Sequence, residues 1–414
     1  MKPTRRALLA TLGGLGAAAP FLPRPARAQP SRPVRLAVLN DQSGPYRDTG
    51  GMYGVNCVRQ AVEDFQKAGG DLGVPVEVVF ADHQNKPDVA VSIVRQWLDQ
   101  GGVDAVLDVP TSSVALAVNT VVREKNKAYI NNGAGTGELT GKQCSPNTIH
   151  WSYDTWMLAQ STGGATVRSG GDTWFFITAD YVFGQQLQRD TASFVAGNGG
   201  KVLGSAAYPF PGTTDFSSFL ISAQASGAKV LGLANAGHDT VNCVKQAAEF
   251  GLNKTMRLAA LLLFIQDVRG LGLAAAQGLV LSESFYWDLN DRTRAFAKRF
   301  QARMPGAVPN MTNAGAYAGA LHYLKAVKAM GVAAAQASGA AAIAQMKAMP
   351  TDDDAFGRAS IREDGLAMLP VYLFEVKKPG ESKGEWDYYK LLATTPPEQA
   401  WKPLRDEGCP LVRS

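Results

Sequence analysis

Short apolar runs alternate along this chain with longer stretches whose apolar residues recur at helical spacing. The runs Val34–Leu39, Pro75–Phe80, Ala105–Val109, Thr173–Thr178, Lys201–Tyr208, Lys229–Ala234 and Gly278–Ser282 read as strands. Helical patterns fall between them at Asp88–Gln100, Ser113–Lys125, Phe183–Asn198, Phe216–Ala225 and Thr240–Phe250. The opening unit is the clearest. Val34–Leu39 leads into a polar turn, Asn40 to Tyr46, then Gly50-Gly51 and a helix with Val55, Val58, Ala61, Val62 and Phe65 on one face. A repeat of about 30 residues is the size of a βαβ unit, and it predicts an α/β fold of parallel sheets covered by helices on both faces. Such sheets bind ligands beyond the carboxyl ends of their strands.

Roughly 385 residues remain after an apparent leader, too many for one such core, so two domains are expected. No Pro/Ser-rich linker divides them, the long helical pattern Asn313–Met330 follows the second run of strands, and extended segments return at Leu369–Val376 and Trp386–Leu392. Two cores without a linker imply lobes joined by several crossovers. Val332–Ala344 is alanine-rich and reads as a surface helix. Leu258–Ile265 is too short to span a bilayer and reads as a buried strand.

The first 28 residues read as a signal peptide. Lys2, Arg5 and Arg6 precede an apolar or small-residue run, Ala7 to Ala19, and Ala26-Arg27-Ala28 supplies a cleavage site that starts the mature chain near Gln29. Thr4-Arg5-Arg6-Ala7-Leu8-Leu9 resembles a twin-arginine export signal; an ordinary secretory signal carrying two arginines is the alternative. Either route leads to the periplasm. The leader holds five basic residues and no acidic one, so its removal leaves 36 basic against 36 acidic residues. A neutral chain without basic clusters is a poor nucleic-acid binder. An exported compartment permits disulfides. Cys57 and Cys243 sit inside helical patterns as buried thiols, while Cys144 and Cys409 lie in loops and are the favoured pair for any bridge.

Candidate chemistry gathers at strand ends. Asn131-Asn132-Gly133-Ala134-Gly135-Thr136 follows the apolar Ala128-Tyr129-Ile130, and its N–H groups and the Thr136 hydroxyl suit an anion. Its glycines do not match a dinucleotide fingerprint, and no phosphate-binding P-loop sequence occurs. Thr111-Ser112-Ser113 offers hydroxyls after another strand, beyond what one helix cap needs. Phe285-Tyr286-Trp287, with Tyr181 and Phe183, suggests aromatic cleft walls for a flat ligand. Asp352-Asp353-Asp354 reads as a solvated turn. The four histidines form no metal or triad motif, and no cofactor or catalytic constellation is implied.

Together these residues resemble the type I periplasmic solute-binding proteins of bacterial ABC importers, in the branched-chain amino-acid-binding group. The resemblance rests on the Leu39–Gly51 turn, Asp82 with Lys86-Pro87, Thr111-Ser112-Ser113, Gly133–Thr140 and Tyr181-Val182-Phe183-Gly184. It implies two Rossmann-like lobes, a three-crossover hinge and a ligand trapped by cleft closure, in a monomer that serves an inner-membrane permease. The lobes it implies are 32–153 with 287–368, and 154–286 with 369–414. The implied ligand residues are Ser43, Tyr46, Ser112, Ser113, Ala134, Thr136, Tyr181, Phe183, Asn235, Tyr286 and Trp287, with Ser112 or Ser113, Ala134 and Thr136 on a carboxylate.

The resemblance also meets a departure. Amino-acid receptors set an acidic residue of the second lobe against the ligand ammonium, whereas Ala259–Phe264 carries none. An unpaired ammonium in a closed cleft costs several kcal/mol, roughly. The pattern is therefore closest to the branch that captures benzoate-like or cinnamate-like acids. Asp267 or Asp239 would restore an amino acid, leaving leucine, isoleucine or valine as the alternative and an exported enzyme as the outlying one.

Overall fold

β1 (Val34–Asn40) is buried along nearly its whole length, as a strand covered on both faces by helices must be. The computed structural model describes residues 32–412, so the expected leader lies outside the described residues. β1 is flanked by β2 (Val76–Asp82) and β3 (Ala105–Asp108), and β4 (Ala128–Asn131) and β5 (Thr148–His150) complete a parallel sheet of order β2-β1-β3-β4-β5. A second parallel sheet follows, order β7-β6-β8-β9, from β6 (Thr173–Ala179), β7 (Lys201–Tyr208), β8 (Val230–Ala234) and β9 (Arg257–Ala260). Each sheet heads one lobe of the α/β molecule. In both, the strand order reverses beside the first strand laid down, and a crevice opens there past the carboxyl ends.

β10 (Val280–Glu283) pairs antiparallel with β14 (Val371–Val376), which carries β15 (Tyr389–Thr395). Between them the chain returns to the first lobe, where helices Asp291–Arg303 and Met311–Met330 pack on helix Gly51–Lys67. A small antiparallel sheet of β11 (Thr351–Asp353), β12 (Gly357–Ile361) and β13 (Ala367–Met368) precedes the last crossing. The residues after β15 do not stay with it. Cys409 is bridged to Cys144 with 5.6 Å between Cα atoms, and Arg362 Nη1 donates to Lys402 O at 2.8 Å, so the tail lies on the first lobe's side. Within the expected 369–414 grouping, the tail is thus tied to residues of the 32–153 and 287–368 segments.

Three local expectations also change. The Leu258–Ile265 segment is a strand only to Ala260, and Ile265 starts a helix. The alanine-rich stretch breaks into helices Val332–Ala337 and Gly339–Ala348, where Ser338 caps the second by accepting from Ala341 N. Asp353 is buried rather than solvated, and the Ala355 and Phe356 N–H groups, at 2.8 Å each, replace the water its carboxylate loses.

Candidate functional site

The two crevices face each other across a narrow, nearly closed cavity. From the first lobe it is lined by Tyr46, Thr49, Gly50, Asp108, Pro110 and Gly133, and from the second by Tyr181, Phe183, Ala236, Leu262 and Phe264. Tyr153 and Thr312 complete the wall. These residues follow β1, β3 and β4 on one side and β6, β8 and β9 on the other, so the fold's geometry selects them.

Aromatic rings dominate. Tyr181 stacks on Phe210 at 4.3 Å between centroids and Tyr46 stacks on the same ring at 5.7 Å, so Phe210 braces both from behind. Tyr153 meets Phe264 edge-on at 6.5 Å and is fixed by donating its hydroxyl to Gly133 O at 2.8 Å. Gly135 allows this, since a Cβ there would stand 2.7 Å from the Tyr153 ring and 2.9 Å from Phe183. The Tyr46 and Tyr181 hydroxyls pair across the lobes at 2.6 Å. Burial drives both well above the usual phenol range.

The rims meet at the cavity mouth. His238 N donates to Pro45 O at 3.2 Å, and His238 Nε2 lies 2.6 Å from Asp48 Oδ2. Gly237 makes the approach possible: its φ is +61°, and a Cβ would sit 2.6 Å from Pro45 O. The loop from Thr49 is pinned from below, where Asn310 and Asn313 each donate to Thr49 O.

Asp108 is the residue that sequence reasoning missed. It ends β3 with φ +77°, and the β-branched Val109 follows at +62°. Both lie where non-glycine residues are strained, and the surroundings hold them there. Asn131 Nδ2 donates to Asp108 O and Val109 O, and Asp108 N donates to Asn132 Oδ1. The carboxylate is clasped as well: Asn40 Nδ2 donates to Oδ2 at 2.9 Å and Asn132 Nδ2 to Oδ1 at 3.2 Å. Burial pushes this carboxyl up to about 7, against the lowering by those two amides. The legible signal was an acidic residue at the end of an otherwise apolar strand.

Of the expected site residues, Tyr46, Tyr181 and Phe183 line the cavity together. The others lie outside that lining. Ser43 donates to Asp82 at 2.6 Å on the outer rim. Ala134 is buried, with its carbonyl on His150 Nε2, and the Thr136 hydroxyl accepts from Glu138 N as the cap of a short helix. Asn235 is tied to Thr240 and Cys243. Ser113 is half-buried, while the Ser112 hydroxyl is fully buried and has no hydrogen-bond partner at the start of helix Ser112–Glu124. Tyr286 packs on Phe374 and Tyr389, and Trp287 donates to Trp386 O at 2.9 Å, so this pair belongs to the second lobe's core rather than to the cavity wall.

The acidic candidates also resolve. Asp267 accepts from Phe264 N and Asp239 from the Tyr208 hydroxyl, and neither lines the cavity. Leu262 and Phe264 do line it without a carboxylate, as expected. The cavity as a whole does hold one carboxyl, because Asp108 enters from the first lobe. Among the described lining residues there is no Lys, Arg or His.

The family model described as periplasmic binding protein matches residues 33–384. No curated protein matches. A solved periplasmic binding protein from Burkholderia mallei is 48% identical, covers 92% of this chain and 99% of its own, and superposes with a TM-score of 0.87. A branched chain amino acid ABC transporter periplasmic ligand-binding protein from Burkholderia xenovorans is 39% identical, with coverages of 91% and 99% and a TM-score of 0.79. A solute-binding protein from Rhodopseudomonas palustris, solved in complex with 4-hydroxybenzoate, is 21% identical over 89% and 98% with a TM-score of 0.78, which speaks for the fold alone.

Proposed function

The chain belongs to the periplasmic binding protein family, and from that premise we propose that it is the periplasmic substrate-binding component of an ABC importer that captures a small aromatic carboxylate. The observation that carries this reading is the cavity wall. Tyr46, Tyr153, Tyr181, Phe183 and Phe264 come from both lobes and from the link between them, so a flat ring held there touches both halves at once. Each aromatic pair adds about 0.5–1.5 kcal/mol beyond burial. The ligand would thereby stabilise the closed arrangement, which is what a receptor offered to a permease requires. We assign the carboxylate to the N-terminus of helix Ser112–Glu124 and its buried, unpartnered Ser112 hydroxyl, two residues beyond the lining residue Pro110 and not themselves part of the lining. The benzoate-type ligand of the Rhodopseudomonas palustris protein is of the same class.

A second reading keeps the family and makes the ligand a branched-chain amino acid. Asp108 favours it, since a carboxylate in the cavity is the partner an ammonium needs. The Burkholderia xenovorans relative is described in those terms. A thermal-shift screen of the mature protein separates the two. A ligand at about 100 times its dissociation constant adds about 2.7 kcal/mol of stability. Stabilisation by benzoate- or cinnamate-like acids and none by leucine upholds the first reading; the reverse pattern replaces it with the second.

A further inference from the structure

We propose that Asp108 is a specificity-determining residue that selects aromatic ligands bearing a hydrogen-bond donor, a hydroxyl or an ammonium group, aimed at its carboxylate. The inference rests on the aromatic reading of the cavity and deepens it.

Four observations converge. Asp108 supplies the one carboxyl among the described lining residues, and no basic side chain lines the cavity to neutralise it. Its two oxygens each take one amide hydrogen bond, from Asn40 and Asn132, which leaves acceptor capacity on both. Its backbone, with that of Val109, is held in a strained left-handed conformation by Asn131 and Asn132, and strain of this kind persists where the surroundings over-determine it at functional sites. Two glycines leave it room: a Cβ on Gly54 would sit 2.5 Å from Oδ2, and one on Gly133 would collide with Oδ1. Packing alone is no reason to hold a carboxyl in such a place, because an apolar residue there would need neither the clasp nor the strain.

The charge argument sets the ligand's chemistry. The titratable groups around Asp108 are the Cys57 thiol and the Tyr129 and Tyr153 phenols, each driven upward by its own burial first and by Asp108 as a further contribution. None of them supplies a positive charge. A plain carboxylate ligand therefore meets a carboxyl that is partly ionised near pH 7, and its binding draws a proton onto the ionised fraction of Asp108. A ligand with an O–H or N–H donor toward Asp108 avoids that uptake. The aromatic rings hold the body of either ligand equally, so discrimination falls to this one contact.

Two matched pairs test it by calorimetry near pH 7: 4-hydroxybenzoate against benzoate, and L-phenylalanine against 3-phenylpropanoate. Each pair differs by a single donor group. The donor-bearing member of at least one pair binds about tenfold tighter or more to the wild type, and Asp108→Asn brings that ratio to about threefold or less. Ratios near one in the wild type for both pairs, or a ratio that survives Asp108→Asn, overturn the proposal while leaving the aromatic reading standing. Failure of all four compounds to bind removes the aromatic reading itself, and the proposal with it. Should Asp108→Asn not fold, wild-type titrations in two buffers of different ionisation enthalpy decide. The donorless acid must take up more protons than its donor-bearing partner, and equal uptake within each pair overturns the assignment.

Discussion

Replacing Tyr181 by Phe removes one hydroxyl and leaves every ring of the cavity wall in place. Tyr46 is 5% exposed, and its hydroxyl is paired with that of Tyr181 at 2.6 Å. Without the partner a buried hydroxyl stands unpaired, which costs about 1–3 kcal/mol. The pair joins the two lobes, so the whole cost falls on the closed state and weakens ligand binding by about 5- to 150-fold. Stacking changes little, because both rings keep Phe210, at centroid distances of 4.3 and 5.7 Å. Tyr46→Phe strands the hydroxyl of the half-buried Tyr181 and carries a smaller penalty of the same kind. The double variant leaves no orphaned group, and it should bind more tightly than either single variant, with a coupling of about 1–2 kcal/mol. Calorimetric titration of all four proteins with the aromatic acid that gives the largest thermal shift reads this directly. Single variants within twofold of wild type, about 0.4 kcal/mol, would refute the idea that this pair forms on closure. So would a double variant whose loss equals the sum of the two.

Three further outcomes follow from the same geometry. Thr136→Ala removes a cap from a short helix and should lower stability by about 0.5–2 kcal/mol while leaving affinity unchanged; a large loss of affinity with unchanged stability would put that hydroxyl on the ligand. Cys409→Ser opens a bridge with a sequence separation of 265 residues and should lower stability by about 2–5 kcal/mol in denaturant melts, with no further loss on adding reductant. The Asp108 carboxyl, raised to about 7 by burial, holds its proton more tightly folded than unfolded. Its contribution to stability is therefore full below the ordinary carboxylate range and is lost as pH rises through about 7. Denaturant melts at pH 5 and pH 8 should show Asp108→Asn gaining on the wild type as pH rises, and a parallel pH dependence for the two would refute that assignment.

Much of the fold was legible because its signals are local. β7 runs over Lys201–Tyr208 as its apolar pattern predicts, and the helix from Gly51 carries Val55, Val58, Ala61 and Phe65 inward at the expected spacing. β5 and the small sheet from β11 to β13 were not read, since strands of two to five residues hold too little periodicity to stand out. At the site, Tyr46, Tyr181 and Phe183 were recognised from their place after strands. Trp287 and Tyr286 also follow a strand, β10, but that strand pairs with β14, so their rings turn into a core made by residues far along the chain.

Local apolar patterning is enough to dictate the alternation of strand and helix, and with it the ends of strands where a ligand must lie. It could not determine which polar groups at those ends are already engaged. Thr136 and Asn235 look free in a one-dimensional reading, yet a helix N–H and a neighbouring threonine occupy them. Asp108 looks like a strand terminus, and only the side-by-side arrangement of β1, β3 and β4 brings Asn40 and Asn132 to its two oxygens. Hydrogen bonds between residues dozens of positions apart are decided by sheet order and register. Those depend on the burial of whole strands, and no local pattern records them.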